Sequence, residues 1–375
     1  MYINFCIRHH PDIGGCYTCQ SLFQNALDSF FIDLELDNFR KKSLADFTIS
    51  GSKDPLTALV RAKSPNFFGF IPNSVLDSTK GVIIHNSFLA HFTYGIELSN
   101  LLNVPLYFVP HGSSDPYIYS YGLIKKRIWL QLFGKVGAKL AKTIIYSSKS
   151  EKFKSLLPFS DSKGEICHWA VSRNFELDKQ NSKEALRIKL KLKPTDKIVL
   201  FFSRIEKMKR PIETVKAFLS LKLPNWKLLI VGPKEDVTIS KEVAQYAKSF
   251  NNVMLHPPVF GSEKWMLLAG VDAYVLMSHR ENFGFTVAEA ALAQTPVFIS
   301  KGVDIYPFFE SKNVKNVFDI HCETDIRECF NSMAKASDND LIDLGLFCER
   351  VVKENFTYQQ FTESLNKILM SKKYE

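Results

Sequence analysis

Short apolar runs alternate with longer helical stretches from Lys80 to Ser148 and again from Lys197 to Ser300, and this alternation constrains the fold more than any other feature of the chain. In the first series GVIIH, PLYFVPHG and TIIYSS are separated by SFLAHFTYGIELSNLL and by the basic stretch IKKRIWLQLFGKVGAKLA. The second runs through KIVLFFS, WKLLIVG, NVMLHPPV, DAYVLMS and TPVFIS, with helical signals around 211–221, 241–250, 263–268 and 285–292 between them. Parallel strands cannot be joined by a tight turn; they need a crossover, and a helix supplies it. The reading is therefore α/β, with two parallel sheets.

At 375 residues the chain exceeds what one compact core usually holds, so two domains are expected. The pattern loosens into polar and charged residues between Ser172 and Asp196, with a short helix-like piece KEALRIKLKL, and this serves as the linker. This gives a first domain at 1–171, a second at 172–355, and a helical tail at 356–375. Residues 20–45 read as a helix followed by an acidic stretch, and 46–80 carry no clear assignment. Seven unevenly spaced cysteines suit buried, reduced thiols better than a disulfide framework. A zinc site from His9, His10, Cys16 and Cys19 lacks a second ligand pair. No run approaches the ~18 apolar residues of a membrane span, and MYINFCIRHH has no secretory signal pattern, so a cytoplasmic location is expected.

A net charge of +9 calls for an anionic partner: a nucleotide, nucleic acid or an acidic membrane surface. No zinc-finger spacing, RNP-like motif or basic tail supports nucleic acid. Within 125–142, Lys125, Lys126, Arg127, Lys135, Lys139 and Lys142 accompany Trp129, Leu130, Phe133 and Val136. That pattern fits docking on the inner face of an anionic membrane, and it equally fits a core helix with one solvated basic face.

Chemistry concentrates in HRENFGFTVAEAALA, residues 279–293. Glu281 stands where strand passes to helix, and Glu289 follows eight residues later, about two turns further along. The first-turn N–H groups around Phe283, Gly284 and Phe285 have no intrahelical acceptors, which suits a phosphate. The spacing alone also suits a cap and a solvated glutamate. Against that, Glu289 lies beside the apolar face Phe285, Ala288, Ala291 and Leu292, where a carboxylate needs a partner or a ligand. SRIEKMKRP places Arg204, Lys207, Lys209 and Arg210 at the end of the first strand of the second series, fit to grip a diphosphate or simply to form a charged turn. In open parallel sheets ligands sit beyond the carboxyl ends of the strands, where His85 and His111 fall. Asp338 and Asp340 form a D-x-D in SDND, which reads as helix capping.

Four stretches in order, PDIGG, PHGSSDP, SRIEKMKRP and SHRENFGFTVAEAALAQTPVFISKG, make the chain resemble glycosyltransferase family 4, the group 1 glycosyl transferases. The resemblance implies a GT-B fold, two Rossmann-like domains with parallel sheets facing a central cleft, the tail helix crossing back to the first domain. It implies a retaining transfer of a hexosyl or related sugar from a nucleotide diphosphate, UDP or GDP, to a glycan or lipid-linked acceptor in cell-surface polysaccharide or glycoconjugate biosynthesis. By the same likeness Glu281, His111, Arg204 and Lys209 serve the reaction, while Gly15, Asn282, Phe283, Gly284 and Glu289 bind the donor. No metal or other cofactor is expected, because the cations and the helix terminus can carry the leaving charge. Arg210 stands where many members have glycine, VGPKED lacks the fuller glycine turn, and HWAVSRNFE lacks the usual asparagine-glycine joint. A sugar-nucleotide epimerase and a non-catalytic sugar-nucleotide-binding subunit are the rival classes, and product analysis separates the first from a transferase.

Overall fold

The structure, a computed structural model, describes residues 1–35, 42–51, 53–64, 66–120, 123–158, 160–173 and 176–371. The chain forms two compact units, Met1–Trp169 together with the chain from Tyr358 onward, and Ala170–Thr357. Each is an α/β unit around one sheet.

In the first unit the strands are β1 (Tyr2–Phe5), β2 (Ser29–Leu34), β3 (Phe47–Ile49), β4 (Gly81–His85), β5 (Leu106–Val109), β6 (Thr143–Tyr146) and β7 (Gly164–Ile166). They lie in the order β3-β2-β1-β4-β5-β6-β7, every neighbouring pair parallel. The central strands are apolar on both faces because helices cover both faces: Ile3, Phe5, Val82, Ile84 and Phe108 are all buried. The final helix, Tyr358–Met370, belongs to this unit. Its Phe361 ring meets Phe23 and Trp169 at 5.6 and 6.1 Å, and the Leu369 carbonyl accepts from the Tyr107 hydroxyl at 3.0 Å.

The second unit has β8 (Lys197–Phe202), β9 (Trp226–Val231), β10 (Val253–His256), β11 (Ala273–Leu276), β12 (Val297–Ser300) and β13 (Val317–Phe318), in the order β10-β9-β8-β11-β12-β13 and again parallel. The order reverses at β8 and β11. Loops leaving their carboxyl ends therefore diverge and leave a crevice, the usual place for a ligand in an open sheet.

Several expectations need correction. β2 lies inside the stretch read as a helix followed by an acidic stretch, and its one charged residue is Asp33. It is in fact buried, accepting from the His9 backbone N–H at 3.0 Å, from the Thr48 hydroxyl at 2.8 Å and from the Ser43 hydroxyl. Residues 36–41 of that stretch lie outside the described residues, as do 372–375 of the tail. Region 46–80 supplies β3 and the helices Pro55–Ala62 and Asn73–Asp77. The helix-like piece of the linker is a packed helix that starts earlier, Lys179–Lys189, with Arg187 buried on Asp272 at 2.6 Å. The first crossover helix begins at Ala90 rather than Ser87, since Asn86 and Phe88 take positive φ.

The basic stretch is not one regular helix: Leu123–Trp129 and Lys135–Leu140 flank a π turn at Leu130–Gly134. Nor does Trp129 face outward. It packs against Phe88 and Phe92 at 4.8 and 4.9 Å between ring centroids and is 6% exposed.

Candidate functional site

In the second unit the site is built from three loops on one sheet edge. β8 ends at Phe202, and the chain then runs through Ser203–Glu206 into a short turn, Lys207–Lys209, before the helix Pro211–Ser220. Lys209 is 5% exposed, and its Nζ donates to Glu281 Oε1 at 2.5 Å. Burial of an ammonium without a partner is costly, so the carboxylate neutralises it. The two loops are also stitched by backbone: His279 N–H donates to Met208 O at 2.9 Å. Arg210, in the left-handed region at φ 55°, places its guanidinium 3.1 Å from His279 Nε2. The positive φ that glycine usually supplies is thus kept here with an arginine.

Glu281 itself is held at both backbone ends, its N–H donating to Gly302 O at 2.8 Å and its carbonyl accepting from Asp304 N–H at 2.9 Å. Gly302 permits this: a Cβ there would lie 2.2 Å from the Ser278 carbonyl oxygen. Three residues after Glu281, Gly284 opens the helix Phe285–Leu292 at φ 79°, where a Cβ would also meet Val303 Cγ1 at 2.9 Å. No side chain caps that helix. Of its first-turn N–H groups Val287 donates to Gly284 O at 2.9 Å, while those of Phe285 and Thr286 stand before the first helical hydrogen bonds, at the positive end of the dipole. Phe283 anchors the turn from below, buried against Phe285 and Phe356 at 5.0 and 5.2 Å.

Glu289 is buried on the second turn, and Lys264 Nζ donates to its Oε1 at 2.6 Å. Burial raises its pKa above the usual carboxylate value, and Lys264 opposes that rise. Tyr274, on β11, ties the end of β8 to the first turn of the helix Phe285–Leu292. Its hydroxyl lies 2.8 Å from Thr286 Oγ1 and donates to Phe202 O at 3.2 Å, and burial, with smaller contributions from Glu281 and Glu289, pushes its pKa well up. Lys209 and Glu281 are therefore directly joined, while Glu289 has a separate cation of its own. Arg204 stands apart from them, half exposed and paired with Glu206 at 2.9 Å.

His111, in the first unit, follows β5 at φ 50° and lies on a relay with His85. Asn4 Oδ1 is 3.1 Å from His85 Nε2, and His85 Nδ1 is 2.9 Å from His111 Nε2. The amide NH2 of Asn4 points to the Tyr2 carbonyl, so its oxygen is the acceptor toward His85. His85 then carries its proton on Nε2 and takes one from His111 Nε2, which leaves His111 Nδ1 as an acceptor. Burial holds the His111 pKa down to about 3, so the ring is neutral throughout the physiological range. Its loop is pinned by Glu151, which accepts from Gly112 N–H at 2.6 Å and from Ser147 N–H at 2.7 Å. Gly15 is the first residue of the helix Gly15–Ala26, and the positive φ, 63°, belongs to Gly14 before it.

Lys264, Tyr274, Asn4 and Glu151 escaped the sequence reading. A polar residue inside an apolar strand marks Asn4, and Ser148-x-x-Glu151 is a helix-start signature, but nothing in the sequence ties Lys264 to Glu289. His9 does not approach a metal arrangement: its ring nitrogens meet Gln20 and Gln24 at 3.0 and 3.2 Å. Among the described residues no three His, Cys, Asp or Glu converge as a metal site. Asp340 closes a capping box with Ser337, and Asp338 pairs with Lys197 at 2.7 Å.

Residues 182–335, which include Arg204, Lys209 and both glutamates, match the model of the family described as glycosyl transferases group 1. A D-inositol 3-phosphate glycosyltransferase from Segniliparus rotundus is 29% identical over 125 residues, 32% of this chain and 28% of that protein. The match thus spans little more than a quarter of the curated relative's length. Among solved structures, Anabaena HepE in complex with UDP and glucose superposes with a TM-score of 0.76 at 16% identity, covering 98% of this chain and 99% of the other. Sucrose-phosphate synthase from Thermosynechococcus elongatus gives 0.73 at 16%, with 98% of both chains covered. These likenesses establish the fold as GT-B.

Proposed function

We propose that this chain, with its match to the group 1 glycosyl transferases at 182–335, transfers a sugar from a nucleotide diphosphate to a glycan or lipid-linked acceptor, with retention of anomeric configuration. The observation that carries the reading is the buried Lys209–Glu281 pair beside the uncapped start of the helix Phe285–Leu292. UDP is the nucleotide of choice, because HepE is held in complex with UDP and glucose on the same fold.

Lys209 and Glu281 neutralise each other in the free protein. A donor diphosphate would take over the Lys209 ammonium, releasing Glu281 to accept hydroxyls of the donor sugar. As the sugar–phosphate bond breaks, negative charge grows on the departing diphosphate. Lys209, Arg204 and the first-turn N–H groups after Gly284 stabilise it there, more strongly in the transition state than in the bound donor. Glu289, kept ionised by Lys264, accepts the ribose hydroxyls. His111, neutral and with Nδ1 free to accept, is suited to take a hydrogen bond from a sugar hydroxyl and not to act as a proton donor. A role in cell-surface polysaccharide or glycoconjugate assembly follows from this class of transfer.

Screening nucleotide sugars by turnover tests the reading: a product bearing the sugar on an acceptor is expected, while a donor epimerised without acceptor would sink it. Because cationic side chains carry the leaving charge, turnover should persist in chelator and gain nothing from added magnesium or manganese. If chelator abolished it and a divalent ion restored it, the diphosphate assignment would be wrong.

The raised pKa of Glu289 adds a pH dependence. Donor hydroxyls bind the ionised form, so affinity for UDP should be full well above the raised pKa and fall as pH drops through it, at values above the usual 4.5. Calorimetric titration over that window should show the fall in the native protein and a flat, weaker profile in Glu289→Gln. A native profile as flat as the mutant's would contradict the ribose role.

A further inference from the structure

An exposed apolar ridge runs the length of the basic segment 123–142. Ile124, Ile128, Leu132, Val136 and Leu140 are 73, 52, 53, 47 and 46% exposed, one every four residues. In an uninterrupted α-helix that spacing gains ~40° per step and would wind away from any one surface. The π turn at Leu130–Gly134 takes up an extra residue and corrects the drift. The buried series shows the same correction, stepping from Trp129 to Gly134 and then to Gly137, Ala138 and Ala141. Phe92 occupies the space above Gly137, where a Cβ would meet its ring at 2.4 Å, so this inner side is fixed on the core and the ridge is fixed outward.

Charge flanks the ridge. Lys125, Arg127, Lys135 and Lys139 are exposed beside it, and the segment 123–142 contains six lysines and arginines with no aspartate or glutamate. Five neighbouring large apolar side chains held in water over a length of about 24 Å are unusual on a protein surface. We infer that this face docks on a lipid bilayer whose headgroups are anionic, the ridge entering the interface while the lysines and Arg127 meet the phosphates. A second copy of the chain fits less well, since a twofold contact through the ridge would set lysine against lysine with no acid on either segment to answer. The docking face is distinct from the Trp129 side that the sequence pattern singled out, and it does not depend on the chemistry at Glu281.

The test is vesicle flotation of the whole protein with phosphatidylcholine alone or containing about a third phosphatidylglycerol. Binding to the anionic vesicles should exceed that to neutral ones by about tenfold or more and should weaken in high salt. The double variant Ile128→Glu, Leu132→Glu should lose binding, as should Lys135→Glu, Lys139→Glu, both melting with the native protein because all four sites are exposed. Glu281→Gln should float as the native protein does, so that failure of the proposed chemistry and failure of docking give different results. Equal partitioning onto neutral and anionic vesicles, absence of binding to either, or undiminished binding by the variants would overturn the inference. A dimer in solution that dissolves in Ile128→Glu, Leu132→Glu, without vesicle binding, would assign the face to a second copy instead.

Discussion

Glu281→Gln should lower turnover by about 10²–10³-fold while leaving the affinity for bare UDP unweakened. The sign of the second effect follows from the ion pair. Lys209 is buried against Glu281 at 2.5 Å, and removing the carboxylate charge frees its ammonium for the nucleotide's β-phosphate. Turnover suffers because the donor sugar loses a charged acceptor next to the bond that breaks. The protein should also melt a few degrees earlier, since an amide leaves a buried cation incompletely neutralised, at a cost of about 2 kcal/mol. Turnover and UDP calorimetry on the same preparation decide the matter. If turnover and affinity both stayed near native and only the melting point fell, Glu281 would be a structural partner of Lys209 and nothing more.

Gly302→Ala should be more damaging to the fold than any change at a site side chain. A Cβ at this position would lie 2.2 Å from Ser278 O and 2.6 Å from His279 O, and both contacts are with backbone that has no rotamer to change. Relief requires the Ser278–Glu281 loop to move, which breaks the hydrogen bond from Glu281 N–H to Gly302 O and pulls Glu281 from Lys209. The expected loss is about 3 kcal/mol, a drop in melting temperature of about 6–12 °C, with turnover reduced at least as far as in Glu281→Gln. Gly302→Ala with native melting and turnover would mean that the loop is not rigidly set by this contact.

The α/β class could be read in the sequence because strands covered on both faces must be continuous apolar runs, as KIVLFF and GVIIH are, whereas the GT-B fold was legible only through the resemblance carried by the four motifs. β2 hid behind Asp33, whose burial depends on partners from three other stretches of chain that no local pattern reveals. β7 and β13, at three and two residues, are too short to carry a period. Within the candidate site, Glu281, Gly284 and Glu289 were visible from the strand-to-helix junction. Lys264 was not, because its partner lies 25 residues away on a different helix. On segment 123–142 the sequence left a docking face and a core helix equally open, because the π turn shifts the helical phase and a pattern counted at constant pitch cannot tell which side Trp129 takes.

The helix Tyr358–Met370 completes the first unit although it comes after the whole of the second. A ribosome emits the chain in the other order. Trp169 and Phe23 emerge long before Phe361, and the Tyr107 hydroxyl waits equally long for the Leu369 carbonyl. The Ala170–Thr357 unit is contiguous and can therefore reach its final packing during synthesis, ahead of the unit that began to emerge first. Until Phe361 emerges, Phe23 and Trp169 lack one of their ring partners, so a chain cut before Tyr358 should leave the first unit less stable and more readily proteolysed than the second.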